Sequence, residues 1–258
     1  MLNFKSVNSI ASVIFIGLLM AYSFYNLSFW WVLLFLFCWL LLTIAGSSFI
    51  GWNYHFKSLN FNSKINKNQV AITFDDGPNL EYTPQVLKLL NSYNAKATFF
   101  CIGKHIETQP ELFKKIIDQN HTVGNHTYSH TTSFGFLNTE KVVSELKRTN
   151  AVIKEQTNLE VQLYRPAFGV TNPKIKHAIK TLGLQSIGWN KRSLDTTNLS
   201  EKAIMKRITK NLKKGDVILL HDSSDKTIAV LEQLLLFLQQ QKIESVTIDT
   251  LFEIKAYA

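Results

Sequence analysis

Residues 70–79 read Val70-Ala71-Ile72-Thr73-Phe74-Asp75-Asp76-Gly77-Pro78-Asn79, an apolar run that ends in two adjacent carboxylates and a Gly-Pro turn. The apolar part predicts a buried strand with both acids at its carboxyl end. Two neighbouring carboxylates in a closed pocket do not both stay charged unless a cation lies near them, because like charges raise one pKa. The stretch therefore requires a metal ion or an arginine nearby, unless the two acids merely begin a solvated turn.

From residue 69 onward, short β-rich runs alternate with amphipathic stretches. Strands are predicted at 70–74, 97–100, 122–124, 161–164, 185–189, 216–220 and 245–248. Helices are predicted at 84–93, 110–120, 140–157, 173–182, 201–212 and 226–241. Thr83 and Asn172 each precede a proline, as helix N-caps do, and Gly183 and Gly215 fall where helices should end. This alternation predicts a parallel sheet, either open and doubly wound or closed into a barrel.

Chemically active side chains follow most of these strands. They are Asp75 and Asp76 after the first strand, His126 and His130 after the third, Arg165 after the fourth, Asp195 beyond the fifth, and His221 and Asp222 after the sixth. In an α/β barrel the carboxyl ends of the strands share one face, which is where such folds place their active sites. We therefore expect these side chains to form one site.

His126 and His130 lie four residues apart. If this segment is a helical turn, both imidazoles point the same way, the arrangement used to bind one metal ion. Two neutral imidazoles and one carboxylate make a three-ligand set with an open fourth position, as in catalytic zinc sites. Asp76 is the natural carboxylate. The alternative is that both histidines decorate the surface.

Two further residues fit hydrolytic chemistry. A buried strand over residues 216–220 delivers His221 to the same edge, and a histidine titrates near the pH at which it can protonate a leaving group. Arg165 can hold a carboxylate in its ionised form through its charge and a forked hydrogen bond. The alternatives are a core histidine held by Asp222 and an arginine in a surface ion pair.

Four motifs, in this order, resemble those of the polysaccharide deacetylases, the NodB-homology or carbohydrate esterase family 4. They are Thr-Phe-Asp-Asp-Gly-Pro at 73–78, His-Thr-Tyr-Ser-His at 126–130, Arg-Pro-Ala-Phe-Gly at 165–169 and Leu-Leu-His-Asp at 219–222. The resemblance covers residues 69–258. It implies a distorted (β/α) barrel of about seven parallel strands and a metal-dependent removal of N-acetyl groups from amino sugars.

The resemblance also implies a role for each motif residue. Asp76, His126 and His130 would bind zinc or a similar divalent ion. Asp75 would be the general base that deprotonates water, and His221 would be the acid that protonates the departing amine. These roles agree with the chemistry of a metal site, since a bound ion acidifies water and polarises a carbonyl.

Supporting roles follow from the same resemblance. Arg165 would hold Asp75 ionised, the backbone N–H of Phe168 would stabilise the oxyanion, and Leu220 would line the pocket for the acetyl methyl group. The chain departs from the family in its fourth motif, Arg192-Ser193-Leu194-Asp195-Thr196. Arg192 stands where an acid is usual, and Thr196 where a tryptophan is usual, so the contacts beside Arg165 and the sugar-binding surface should differ.

The first 52 residues are strongly apolar, and their only charged side chain is Lys5. The runs 10–25 and 29–50 approach or exceed the length that a membrane helix needs. We predict a transmembrane hairpin over residues 1–52, a linker over 53–68 and a catalytic domain over 69–258. A signal peptide over residues 1–22 is the alternative, whereas a buried soluble helix would need a polar face that is missing.

The formal net charge of +9 falls almost wholly on the part that follows the hairpin. Basic residues at both ends of the hairpin place both ends in the cytoplasm unless the first run is cleaved or fails to span, so the side of the membrane stays open. A basic surface suits anionic lipid head groups or an anionic polymer.

No nucleic acid is expected, because Lys and Glu mix along residues 140–154 as on an ordinary solvated helix. Cys38 and Cys101 have neither disulfide nor zinc-ligand spacing.

The sequence thus predicts a membrane-anchored hydrolase that uses a divalent metal ion, zinc above all, to deacetylate N-acetylated amino sugars. Its partners would be the membrane and a glycan such as peptidoglycan, a surface polysaccharide or a chitooligosaccharide. One alternative is a deacylase of a lipid-linked amino sugar at the membrane surface. Another is a non-catalytic carbohydrate-binding protein of the same fold. The sequence does not indicate an oligomeric state.

Overall fold

Two long apolar helices precede an alternation of strands and helices in the structure, a computed structural model that describes residues 3–258. The helices are α1 Phe4–Tyr25, α2 Trp30–Ser48, α3 Thr83–Ser92, α4 Gly103–Thr108, α5 Pro110–Asp118, α6 Thr139–Thr157, α7 Pro173–Thr181, α8 Glu201–Thr209, α9 Asp225–Gln240 and α10 Ile248–Phe252. The strands are β1 Gln69–Asp75, β2 Ala97–Cys101, β3 Thr122–Asn125, β4 Leu163–Tyr164, β5 Gln185–Ser186, β6 Lys191–Arg192, β7 Val217–His221 and β8 Glu244–Ser245. Short 3-10 turns cover Ile50–Trp52, Phe134–Phe136 and Ala167–Gly169.

The strands pair in the order β5-β4-β3-β2-β1-β7-β6, and β8 pairs with the first residues of β1. All of these pairings are parallel. β1 lies in the middle and is buried along its whole length. A strand covered on both faces needs apolar residues rather than alternation, which is why residues 70–74 are apolar except for Thr73, whose hydroxyl donates to the carbonyl of Ile218.

The two ends of this strand order are joined by a short connection. Only four residues separate the end of β5 from the start of β6. Within them the N–H of Ile187 bonds to the carbonyl of Tyr164 on β4, and the N–H of Asn190 bonds to the carbonyl of Val217 on β7. One continuous stretch therefore pairs with both edges, and the sheet closes into a distorted barrel. The predicted fold class is confirmed, and the open doubly wound alternative is wrong.

Successive side chains of the strands point alternately into the barrel and outward to the helices. Phe74, Phe99 and Leu220 belong to the outer core between the strands and the surrounding helices. Phe100 and Val217 belong to a second core inside the barrel. A residue's position in this alternation decides whether it can reach the site at the end of the barrel.

Three local predictions are wrong. Tyr82, not Thr83, is the residue before α3, and the Thr83 hydroxyl instead bonds to the buried carboxylate of Asp222. Gly215 lies in the turn before β7 rather than at a helix end, where its φ of +87° and the closeness of the Asn62 carbonyl leave no room for a side chain. The last strand ends at residue 245, because α10 begins at Ile248.

Helices α1 and α2 form an antiparallel hairpin joined at Asn26, whose φ is +55°. Both are long and apolar enough to cross a membrane, by length and composition. Most of their large apolar side chains are exposed. The bounds predicted for hairpin, linker and catalytic domain stay predictions.

Candidate active site

Asp75 and Asp76 stand at the carboxyl end of β1 and point in different directions. Asp75 is buried inside the barrel, whereas about a third of the Asp76 side chain is exposed. The separation comes from the backbone, since Asp76 has a φ of +75°. An aspartate is among the few residues that tolerate this region. The two neighbouring acids can therefore serve different purposes.

Asp76, His126 and His130 form a compact three-residue cluster. Asp76 Oδ1 lies 3.4 Å from Nε2 of His126 and 3.4 Å from Nε2 of His130. One ligand atom from each residue lies within 4.8 Å of the others. The two histidines do not lie on a helical turn, because Thr127 and His130 have φ values of +66° and +47°. The premise of a helix is wrong, but the irregular loop still brings both imidazoles together.

The cluster fits a divalent metal ion. Asp76 Oδ1 and His130 Nε2 are buried and have no hydrogen-bond partner among residues 3–258. Buried polar atoms are normally paired, so these two require a ligand. Nδ1 of His126 lies 2.9 Å from the carbonyl of Arg165, and a carbonyl only accepts, so Nδ1 carries the proton and Nε2 is free to ligate. Two imidazoles and a carboxylate match the donors of a catalytic zinc site.

The electrostatics of Asp76 and His130 suit a bound cation. Burial alone would raise the pKa of Asp76, but the contact with His126 and the charges of His126, His130 and His221 hold it well below its ordinary value. Burial, and then the charge of His126, lower the pKa of His130 to about 4. At neutral pH the carboxylate is charged and the His130 ring is neutral, as metal ligation requires.

Arg165 is fully buried and contacts Asp75 directly. Its Nη1 donates to Asp75 Oδ1 at 2.8 Å and to Thr73 Oγ1 at 2.7 Å. Its Nη2 donates to the carbonyl of Gly188 at 2.9 Å. The contact expected between Arg165 and Asp75 is present, and backbone carbonyl and hydroxyl oxygens supply the remaining partners. Arg192, by contrast, is exposed on β6.

His221 lies beside Asp75, because β7 pairs with β1 in a register that places the two residues next to each other. Asp195 Oδ1 accepts from its Nδ1 at 2.8 Å. Burial alone would lower the pKa of His221, but this hydrogen bond and the charges of Asp195, Asp75 and Asp76 raise it to about 9. The imidazole is therefore protonated at neutral pH and can donate a proton.

Asp195 is the hydrogen-bond partner of His221, a contact that the sequence did not reveal. Asp222, the partner considered from the sequence, turns away and bonds to Thr83. Burial raises the pKa of Asp222 to about 7. The position of Asp195 after a strand was the available signal, but only the loop that follows β6 brings it to His221.

Leu220 does not face the site. It lies beside Phe74 in the register of β7 with β1, and it belongs to the outer core between strands and helices. Leu219 pairs with Thr73 instead and shares the inward face with His221. The expectation that Leu220 lines the acetyl pocket is therefore contradicted by the alternation of the strand, and Leu219 is the leucine on the correct face.

Phe168 lies at the rim of the site in a 3-10 turn, with a φ of +56°. The centroid of its ring is 4.5 Å from that of His130, and 47% of the residue is exposed. The role expected for its N–H as an oxyanion donor stays a prediction.

Comparison with known proteins gives a consistent set of relatives. Residues 62–187 match the family described as polysaccharide deacetylase. A peptidoglycan-N-acetylglucosamine deacetylase from Bacillus cereus is 35% identical over 74% of this chain and 91% of its own length. The peptidoglycan-N-acetylglucosamine deacetylase PgdA from Listeria monocytogenes is 33% identical over 74% of this chain, which spans only 40% of that longer protein.

Solved structures show the same likeness. The Bc1960 peptidoglycan N-acetylglucosamine deacetylase superposes with a TM-score of 0.71 at 29% identity, over 77% of this chain and 94% of that one. BA3943 from Bacillus anthracis, described as a pseudoenzyme of carbohydrate esterase family 4, has a TM-score of 0.67 at 26% identity, over 72% of this chain and 66% of that one. With the geometry of the cluster and the extent of these matches, the chain belongs to the polysaccharide deacetylase family of enzymes.

Proposed function

We propose that this enzyme uses a divalent metal ion to remove the acetyl group from N-acetylated amino sugars of a glycan. The observation that carries the proposal is the convergence of Asp76, His126 and His130, with unpartnered buried atoms between them, beside Asp75 and His221. Metal binding needs only the three-residue cluster, but hydrolysis of the amide also needs a general base and a general acid. The presence of both favours catalysis over carbohydrate binding alone.

Asp76, His126 and His130 would hold the ion, and their nitrogen and oxygen donors suit zinc. When bound there, the ion supplies Lewis acid chemistry, since it polarises the amide carbonyl and lowers the pKa of water. Each residue of the cluster offers one donor atom, and three protein ligands are the number that catalytic zinc sites use.

Asp75 and His221 would move the protons. Asp75, paired with Arg165, accepts a proton from the attacking water while the oxygen of that water bonds to the carbonyl carbon. Protonated His221 then gives its proton to the amide nitrogen as the C–N bond breaks, which releases acetate and a free amino sugar. The N–H of Phe168 would donate to the oxyanion that forms between these two steps.

The substrate class is proposed from the chemistry and the relatives together. Two relatives are named for the deacetylation of peptidoglycan N-acetylglucosamine. We assign to this chain an N-acetylglucosamine-containing glycan. The hairpin of α1 and α2 would anchor the enzyme in a membrane.

The proposal is tested by acetate release from N-acetylglucosamine oligomers by the full chain in detergent, with zinc or cobalt added. Asp75→Asn is expected to lower kcat by more than about 100-fold, within the range of general base catalysis, while the bound metal per chain is unchanged. An Asp75→Asn variant as active as the parent would remove Asp75 from the mechanism. A folded, metal-loaded parent that releases no acetate from any N-acetylated sugar would favour the non-catalytic alternative.

A further inference from the structure

The hairpin is tied to the loop that forms the rim of the active site. The N–H of Thr171 donates to the carbonyl of Ser47, in the last turn of α2, at 2.8 Å. Thr171 follows Phe168 by three residues, and three residues of chain span at most about 11 Å. The end of a membrane-type helix therefore lies close to the site.

The junction between the hairpin and the barrel, residues 46–56, is held by specific packing and hydrogen bonds. We call it the hairpin base. The N–H of Phe4 bonds to the carbonyl of Tyr54 at 2.8 Å, which joins the start of α1 to the base. The ring of Tyr54 packs so closely on Gly46 that a side chain there would collide with it. Ser47 Oγ lies 2.9 Å from Nε2 of buried His55. Both helices are thus fixed to the same few residues.

The hairpin base also packs on the elements that form the catalytic end of the barrel. Phe56 contacts the core cluster that contains Phe134, Ala167 and Ile175. These residues follow β3 and β4, and Ile175 lies in the first turn of α7. All of them belong to the carboxyl-end side of the strands, where the site lies. Hairpin and catalytic face therefore meet on one side of the molecule.

Large apolar side chains are exposed in loops after strands and in the hairpin base. Phe136 is 87% exposed, Leu80 is 72% exposed and Phe168 is also exposed, and each lies in a loop after a strand. In the hairpin base, exposed Phe49 and Trp52 stack with ring centroids 5.4 Å apart. Aromatic side chains concentrate where membrane meets water, and exposed apolar groups around a site mark a surface that is covered in use.

We propose that the hairpin holds the catalytic face against the membrane interface, and that the substrate is an N-acetylated amino sugar carried by a lipid in the same bilayer. The second half rests on the function proposed above. A lipid-borne sugar stays at the depth of the head groups, and the rim loops meet it there without leaving the membrane. The same sugar on a free polymer would have to enter between the rim and the bilayer.

The first test measures membrane depth and needs no activity. A fluorophore is attached to Phe136→Cys or to Leu236→Cys in the full chain, with exposed Cys38 replaced by Ser and Cys101 kept because it is buried. Leu236 is a matched site, since it is exposed on α9 about three turns from the catalytic edge. In phosphatidylglycerol vesicles with nitroxide lipids, quenching at position 136 should exceed that at 236 at least threefold. Equal quenching at both positions would overturn the orientation.

The second test compares N-acetylglucosamine attached to a long-chain lipid in vesicles with a soluble chitooligosaccharide. Phe136→Ser should lower kcat/KM at least fivefold on the vesicle substrate and less than twofold on the soluble one. Leu236→Ser should change neither value. Activity restricted to the soluble substrate, or an equal loss on both substrates, would overturn the lipid-borne assignment.

The two proposals fail in different ways. If the metal-loaded enzyme releases acetate from neither substrate, the proposed deacetylation is wrong and the lipid-borne assignment falls with it. The depth measurement still decides the orientation in that case. If the soluble substrate is cleaved and Phe136→Ser has no selective effect, deacetylation stands and only the further inference is wrong.

Discussion

Asp195 and His221 are joined twice. Asp195 Oδ1 accepts from Nδ1 of His221, and its Oδ2 accepts from the backbone N–H of the same residue, both at 2.8 Å. Ser193 and Thr227 each donate a further hydroxyl hydrogen bond to this buried carboxylate. The imidazole is therefore fixed in orientation and held beside a negative charge, which favours its protonated form.

Asp195→Asn should move the alkaline limit of activity to lower pH. Activity needs protonated His221 and is lost as the pH rises through its pKa of about 9. Without the charge of Asp195, the pKa of His221 should fall toward its ordinary value of 6.5. The pH at which activity is lost should fall with it. The pH dependence of kcat/KM checks this, and an unchanged alkaline limit would mean that His221 is not the acid.

Arg165→Met should destabilise the fold and reduce activity together. The substitution leaves the Asp75 carboxylate buried without its cation, and breaking a buried pair costs about 3–5 kcal/mol. The free energy of unfolding is measured by chemical denaturation. Arg192→Met is the control, because Arg192 is exposed and its loss should change stability by less than about 0.5 kcal/mol. Equal effects of the two substitutions would contradict the importance of the buried pair.

His126→Ala should abolish metal binding at the cluster. Removing a residue that only hydrogen-bonds to a metal ligand already lowers metal affinity by about 10–100-fold. Removing the ligand itself should therefore lower the affinity by more than about 100-fold. Isothermal titration calorimetry with zinc gives the affinity. His177→Ala is the matched control, since His177 is exposed on α7 and lies outside the cluster. A variant at position 126 with parental affinity would exclude this cluster as the metal site.

Leu219→Ala and Leu220→Ala should separate a role in the site from a role in the core. Both side chains are buried, so each substitution should cost about 2–5 kcal/mol of stability. Only Leu219 faces inward with His221, so Leu219→Ala should also lower kcat/KM by about 10-fold or more, the scale for a defect in an apolar pocket. Kinetics on folded enzyme, at a temperature where both variants are native, test this. The reverse ranking would restore Leu220 to the pocket.

Many of the secondary-structure elements and site residues could be predicted from short stretches of the sequence. The apolar run before Asp75 indicates a buried strand because a strand covered on both faces has no polar side. Six of the helices after residue 69 were placed to within a few residues because their apolar faces repeat with the helical period, whereas the short helices α4 and α10 were not predicted. The cluster of Asp76, His126 and His130 was also foreseen, since strand ends in a parallel barrel share one face.

Tertiary structure decided what depends on contacts between distant parts of the chain. The sheet closes because the stretch between β5 and β6 pairs with two different strands, and no local pattern encodes that pairing. Asp195 reaches His221 only through the path of a loop, and Leu219 replaces Leu220 because the register of β7 fixes which side chain points inward. The apolar hairpin was readable from composition alone. Its attachment at Ser47 and Thr171, beside the active site, follows only from how residues far apart in the chain pack together.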